Sequence, residues 1–142
     1  MSGVSIRPAV LDDAPALEVL IRQLGYDETA ADIAARLVAM EDAGLTALVA
    51  ELDGRVVGCL TVSIMPVLHR PKPVGRISMV VVEEGLRSRG IGAELVRAAE
   101  EWLKGQGCGM IEVTSNLKRT EAHRFYERLG FERTSLRFAR DA

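Results

Sequence analysis

A chain of 142 residues, 48% of them hydrophobic, is long enough to bury one core and too short for two. Its formal net charge of −2 carries no basic bias, which excludes non-specific nucleic-acid binding and a polybasic membrane anchor. Cys59 and Cys108 are its two cysteines, with no CxxC and no His-Cys cluster, so neither a disulfide framework nor a metal site is indicated, and both thiols are expected to be buried and reduced.

The N-terminal stretch MSGVSIRPAV has no apolar leader core, and no run approaches the roughly 18 apolar residues of a membrane span. The expectation is a cytoplasmic protein with one domain, residues 1–142. Residues 4–10 read as a short strand. A helix follows in DDAPALEVLIRQLG, with an Asp cap, Pro15 early, Leu17, Leu20, Ile21 and Leu24 at helical spacing, and Gly25 as its stop. A second helix starts at Thr29, carries Ile33, Leu37 and Met40 as its apolar stripe, and ends at Gly44.

LTALVAEL and RVVGCLTVSIM are β-rich runs joined by Asp53-Gly54, a hairpin signal because both turn positions want positive φ. PVLHRPKP is a loop stiffened by three prolines, and VGRISMVVV is a strand. Residues 90–104 form a helix with Ile91, Leu95, Ala98, Ala99 and Trp102 on one face. GMIEVTS is another strand, and residues 120–129 form a short helix with Ala122, Phe125, Tyr126 and Leu129 at i, i+3, i+4 and i+7. A final strand or pair of strands is expected over residues 131–138. The order predicts an α/β (α+β) protein: helices flanking a single mixed sheet, antiparallel hairpins first and one crossover later.

The junction EEGLRSRGIGAEL, residues 83–95, places two arginines and bare backbone between a valine run and a helix. Gly85 and Gly90 have P-loop spacing, but Ile91 and Gly92 stand where Lys and Ser or Thr are needed. The dinucleotide fingerprint starts at Gly90-Ile91-Gly92 but meets Leu95 in place of its third glycine. What remains is an anion site: glycines admit a close approach, the free amides of a helix N-terminus donate, and Arg87 and Arg89 add charge. The bland alternative is a glycine-containing loop with solvated arginines.

Downstream, SNLKRTEAHRFYERLGF carries Asn116 just past a strand, then a helix with Phe125-Tyr126, then Gly130-Phe131. Together, Arg87-x-x-Gly90-x-Gly92 and this second patch resemble the GNAT superfamily of acetyl-CoA-dependent N-acetyltransferases, over nearly the whole chain. The second patch is most similar to the branch that contains aminoalkylphosphonate N-acetyltransferases.

The resemblance implies that acetyl-CoA is the cosubstrate and a small-molecule amine the acceptor. It implies a cofactor-binding set of Arg87, Ser88, Arg89, Gly90, Ile91, Gly92, Ala93, Asn116 and Phe125, with the pantetheine arm along the backbone of Val80, Val81 and Val82. It also implies that this strand splays from GMIEVTS, with a polarising N–H at a bulge near Val80. Homodimers are common among such proteins, and the C-terminal strand is the expected contact.

Direct transfer through a tetrahedral intermediate needs a neutral amine, and deprotonating an alkylamine of pKa about 10.4 at pH 7 costs about 4 to 5 kcal/mol. Tyr126 is the candidate acid for the leaving thiolate. Glu112, alternating with Ile111 and Val113, is the candidate base, with a solvated or ion-paired glutamate as its bland alternative. Arg76, Ser78 and Met79 stand where related enzymes often carry a carboxylate. Tyr26 and Asp27, at the join of the first two helices, and His123, one turn before Tyr126, are candidate substrate contacts. His69 reads as a rim residue. A non-catalytic acyl-CoA sensor would share the pyrophosphate site and differ only at the chemistry, and a dinucleotide-binding protein is a third class.

Overall fold

Asp53 and Gly54 both take positive φ, 52° and 77°, and close the central hairpin with two residues. The computed structural model describes residues 3–142; Met1 and Ser2, the start of the stretch read for a leader, lie outside the described residues. The elements in chain order are β1 (Ser5–Pro8), α1 (Ala14–Leu24), α2 (Ala30–Asp42), β2 (Thr46–Leu52), β3 (Arg55–Met65), β4 (Val74–Val82), α3 (Ile91–Gly105), β5 (Met110–Val113) and α4 (Thr120–Arg128). One sheet has the order β1-β2-β3-β4-β5, antiparallel throughout except for the β4–β5 pair. Helix α3 makes the crossover that a parallel pair requires.

The two faces are packed separately. Ile91, Leu95, Val96, Ala99 and Leu103 of α3 bury against Leu60 and Val62 of β3 and Ile77 of β4. Leu17 and Leu20 of α1 and Ile33 of α2 bury against Val49, Cys59 and Val81 on the other face. Fully burying a leucine such as Leu95 or Leu103 stabilises by about 1.5–3 kcal/mol, so these stripes hold the layers together. Gly75 lets α3 come in close, because a Cβ there would lie 2.8 Å from the Leu103 side chain.

Thr29 caps α2, its Oγ1 accepting the Asp32 N–H at 3.1 Å. Asp13 occupies the N-cap position of α1, but its side chain does not cap that helix. Its carboxylate accepts the Val10 N–H at 2.8 Å and takes both Arg7 Nη atoms at 2.8 and 2.9 Å. The pair ties β1 to the entry of α1, a non-local role that the expected cap did not anticipate. Cys59 is buried, which pushes its thiol up to about 12, whereas Cys108 is only half-buried. Among the described residues, no helix is long and apolar enough to cross a membrane.

The expected strand over residues 131–138 does not form. Residues 131–142 carry no regular structure, and Leu136 and Phe138 are 69% and 89% exposed. The alternation there is real, but a strand needs a pairing partner as well as the pattern, and these residues do not add to the outer edge of β5.

The Arg7 hydrogen bonds hold the Asp13 carboxyl below its ordinary value of 3.8, against the opposing effect of burial. A depressed native pKa means that the stabilisation is fully present above the unfolded-state value and is lost as pH falls through the folded one. Asp13→Asn is therefore expected to lower unfolding free energy by about 2 kcal/mol at pH 7. In urea titrations the gap between variant and wild type closes at pH 2; a gap of equal size at both pH values contradicts the assignment.

Candidate active site

Strand β4 runs from Val74 to Val82, but β5 pairs only with its first part, from Val74↔Met110 to Ile77↔Val113. Past that point the strands part, and five residues of β4 present an edge that β5 does not cover. The register with β3 slips at the same place: Val62 faces Ile77 and Thr61 faces Met79, leaving Ser78 as the extra residue of a bulge. The bulge thus lies two residues before the expected position at Val80. The Ser78 hydroxyl stands 2.8 Å from that of Thr61.

The three valines divide between the layers, Val80 and Val82 against the α3 cluster and Val81 against α1. Their side chains are core, so only their backbone faces the gap.

After Val82 the chain makes a tight turn at Glu84–Leu86 and enters α3. Ser88 (φ 69°) and Gly90 (φ 81°) are both left-handed. Such a conformation costs a non-glycine residue such as serine about 1–3 kcal/mol, and strain of this kind concentrates at binding sites. The first bond closing α3 runs from the Glu94 N–H to Gly90 O at 3.1 Å. The amides of Ile91, Gly92 and Ala93 therefore point out of the helix end with no intrahelical acceptor, where the macrodipole is positive. Arg87 folds back so that its Nε donates to Val82 O at 3.4 Å, and Arg89 is exposed. Gln23 Oε1 accepts the Glu84 N–H at 2.9 Å, which fastens the C-terminal end of α1 to this turn. Tyr26 and Asp27 follow directly, both exposed.

Helix α4 packs on the same face as α3. A Cβ on Gly92 would lie 3.2 Å from the Phe125 ring and 3.8 Å from Val82, so glycine is needed there for close packing. The Tyr126 ring meets Phe125 edge-on at 5.2 Å and Phe131 at 6.1 Å. Burial pushes the Tyr126 phenol above its ordinary value of 10, with the charge of Arg119 opposing. Gly130 (φ 95°) and Phe131 close α4: their N–H groups bond Glu127 O at 3.0 Å and Tyr126 O at 3.1 Å in a Schellman arrangement. The Gly-Phe of the motif is a helix stop that also seats Phe131 against Tyr126.

Asn116 shapes the approach to α4. Its Oδ1 accepts the Lys118 N–H at 2.9 Å, its carbonyl accepts the Arg119 N–H at 3.0 Å, and the same carbonyl lies 2.8 Å from His123 Nε2. His123 is thereby occupied with its own loop. Glu112 is paired as well, with Arg76 directly opposite in the register at 3.5 Å. The fold therefore gathers Val80, Val82, Arg87, Ser88, Gly90, Ile91, Gly92 and Phe125 along the gap and its end, with Tyr126 edge-on to Phe125. Tyr26, Asp27 and Glu112 lie on the opposite face of the sheet, and His123 is held by its own loop. Sequence reasoning missed Gln23 and Thr61, whose partners lie far along the chain and leave no local signal.

Two buried side-chain atoms lack a partner among the described residues, Arg76 Nε on β4 and Ser115 Oγ just past β5. Both belong to the chain segments flanking the gap, as expected where a ligand completes the hydrogen bonding. A cavity of about 420 Å³ opens at the far edge of the sheet, between Pro8, Leu37, Met40 and Ala47, and none of these site residues lines it.

Residues 13–131 match the Acetyltransferase (GNAT) family. The chain is 31% identical over 145 residues to the aminoalkylphosphonate N-acetyltransferase of Salmonella typhimurium, covering 99% of this chain and 92% of that protein. Among solved structures it is similar to a putative acetyltransferase from Agrobacterium tumefaciens, with TM-score 0.88, 32% identity and coverage of 97% and 99% of the two chains. It also shares its fold with the aminoglycoside N-acetyltransferase AAC(6')-Iy solved in complex with CoA, with TM-score 0.86, 23% identity and coverage of 97% and 94%.

Gly90 and Gly85 separate conformation from packing, since a Cβ at either would meet nothing within 4 Å and only Gly90 has positive φ. Gly90→Ala is expected to cost about 1 kcal/mol, while Gly85→Ala stays within about 0.5 kcal/mol of wild type. Equal melting temperatures for the two variants contradict the left-handed constraint.

Proposed function

Because the chain belongs to the acetyltransferase (GNAT) family and is an N-acetyltransferase, we propose that it transfers acetyl from acetyl-CoA to the primary amine of a small molecule, residues 1–142 acting as one catalytic domain. The observation that carries this reading is the uncovered edge of β4 running into a turn of free amides. An extended arm with two amides fits the first as an added strand, and a diphosphate fits the second. The Salmonella typhimurium relative acts on aminoalkylphosphonates, which supports a small amine as acceptor.

In this reading the backbone of Val80, Val81 and Val82 pairs with the pantetheine amides, and an N–H at the Ser78 bulge polarises the thioester carbonyl. The amides of Ser88 to Ala93 hold the diphosphate, with the charges of Arg87 and Arg89 beside them. Phe125 fixes the wall through its packing on Gly92, and Asn116 acts by shaping the entry to α4. Acetyl-CoA supplies the activated acyl group. Tyr126 keeps its proton through neutral pH because burial disfavours the phenolate, so it serves as the acid. The amine nitrogen first bonds the acyl carbon to give a tetrahedral oxyanion, and Tyr126 gives its proton to sulfur as that intermediate collapses and the C–S bond breaks. The surplus amine proton leaves through Glu112 or water, and Asp27, beside Tyr26, attracts the ammonium group. Two copies associate through residues 131–142, a reading supported by the exposure of Leu136 and Phe138.

Tyr126→Phe is expected to lower kcat about 100-fold and to leave the Kd for acetyl-CoA within about twofold, measured by thiol release and calorimetry. Unchanged turnover removes the acid role. Asp27→Asn should raise KM for a cationic amine severalfold and leave the KM for acetyl-CoA alone; matching losses in both refute its contact with the acceptor.

A further inference from the structure

The turn at Glu84–Leu86 is fixed at its start by the sheet on one side and by α1 on the other. The Glu83 N–H bonds Val57 O at 2.8 Å, and the Glu83 carboxylate pairs with Arg55, the first residue of β3. The next amide, that of Glu84, donates to Gln23 Oε1 at 2.9 Å, although the two residues stand 61 positions apart. The Leu86 N–H then bonds Glu83 O at 2.9 Å. Residues 83–86 are thus the frame from which Ser88 and Gly90 depart into their left-handed conformations.

A neutral amide suits this place. Glu83 and Glu84 set two carboxylates at the turn, and a charged acceptor in place of Gln23 would meet their repulsion. Gln23 lies in the last turn of α1, whose Leu20 and Leu24 pack in the cluster that holds Val81, so the end of this helix sits beside β4. Gly25 (φ 110°) stops the helix, its N–H bonding Arg22 O at 3.0 Å while the Tyr26 N–H bonds Ile21 O at 3.1 Å. The side chain that holds the turn and the backbone that aims Tyr26 and Asp27 therefore belong to one turn of helix.

We infer that Gln23 is a positioning residue that couples the diphosphate turn to the acceptor side of the site, so that coenzyme A filling the turn also fixes residues 25–27. This rests on the reading of the turn as the diphosphate site and of Asp27 as an acceptor contact. The bond acts in both directions. Before the cofactor binds, α1 restrains the Glu84 amide and lowers the cost of ordering the turn. Once the diphosphate has fixed the turn, the same bond restrains the end of α1 and removes freedom from the segment that meets the amine. Such coupling is reciprocal: the factor by which cofactor tightens acceptor binding is the factor by which acceptor tightens cofactor binding. A single exposed hydrogen bond sets its size at severalfold.

The test follows backbone amide chemical shifts during titration with coenzyme A, in wild type and in Gln23→Met, which keeps the length of the side chain and removes the acceptor oxygen. In wild type, shifts at Ser88 through Ala93 are expected to be accompanied by shifts at Gly25, Tyr26 and Asp27. In Gln23→Met the first set persists, the second is lost, and the Kd for coenzyme A rises about fivefold. Should Gln23→Met not fold, Gln23→Ala carries the same comparison. Wild-type shifts at 88–93 with none at 25–27, the same response of 25–27 in the variant, or an unchanged Kd overturns the inference and leaves the diphosphate site intact. A lower melting temperature with both sets of shifts retained assigns Gln23 to stability alone and overturns it too. Binding of coenzyme A to wild type that leaves 88–93 unmoved overturns both readings.

Discussion

A strand inside a sheet has its donors and acceptors satisfied on both sides, and β4 is denied this over its second half. It pairs with β3 along nearly its whole length but with β5 only as far as Ile77. The resulting row of backbone groups is the constraint on which the site depends, because unpaired peptide groups between packed layers are costly unless something completes them. Packing keeps the gap open. Leu103 presses close to Gly75 where the strands are joined, while the Phe125 ring fits against Gly92 and Val82 where they are apart.

The chemistry follows from what meets at the gap. Its far end is a turn whose donors are main-chain amides and whose left-handed residues, Ser88 and Gly90, shape the loop. On the α3 side stands the half-buried Tyr126, whose phenol is pushed above its ordinary value by burial. On the opposite face Arg76 and Glu112 are joined by a single 3.5 Å contact across the last register pair but one. An acyl donor and an amine approaching from opposite faces would thus meet in the one place where the sheet is not closed.

Much of the fold was legible in the residues. Asp53-Gly54, the Thr29 cap, Gly25, the prolines of residues 66–73 and the stripes of α1 and α3 are local signals, and each became the element expected of it. The alternation of Leu136 and Phe138 misled because period two records a preference for extended backbone, whereas pairing along the outer edge of β5 is a separate requirement that these residues do not meet. Register is equally invisible: no residue type at Ser78 announces a bulge, which depends on how Thr61 and Val62 meet their partners. The left-handed Gly90 and the close packing at Gly92 could be anticipated because glycine marks backbone conformation and close approach. Asp13 looked like a helix cap from its position, and only the folded chain brings Arg7 to it. Glu112 was legible as a carboxylate beside the opening, but its pairing with Arg76 depends on two strands separated by the whole of α3.

The central claim is that main-chain donors between β4 and α3 grip the diphosphate of coenzyme A. Amide chemical shifts of isotopically labelled protein, titrated with coenzyme A and separately with pantetheine, test it most directly. The account predicts large shifts for Ser88 through Ala93 with coenzyme A and none there with pantetheine, which lacks the diphosphate. Shifts confined to the cavity beside Leu37 and Met40, with the amides of that turn unmoved, would contradict it.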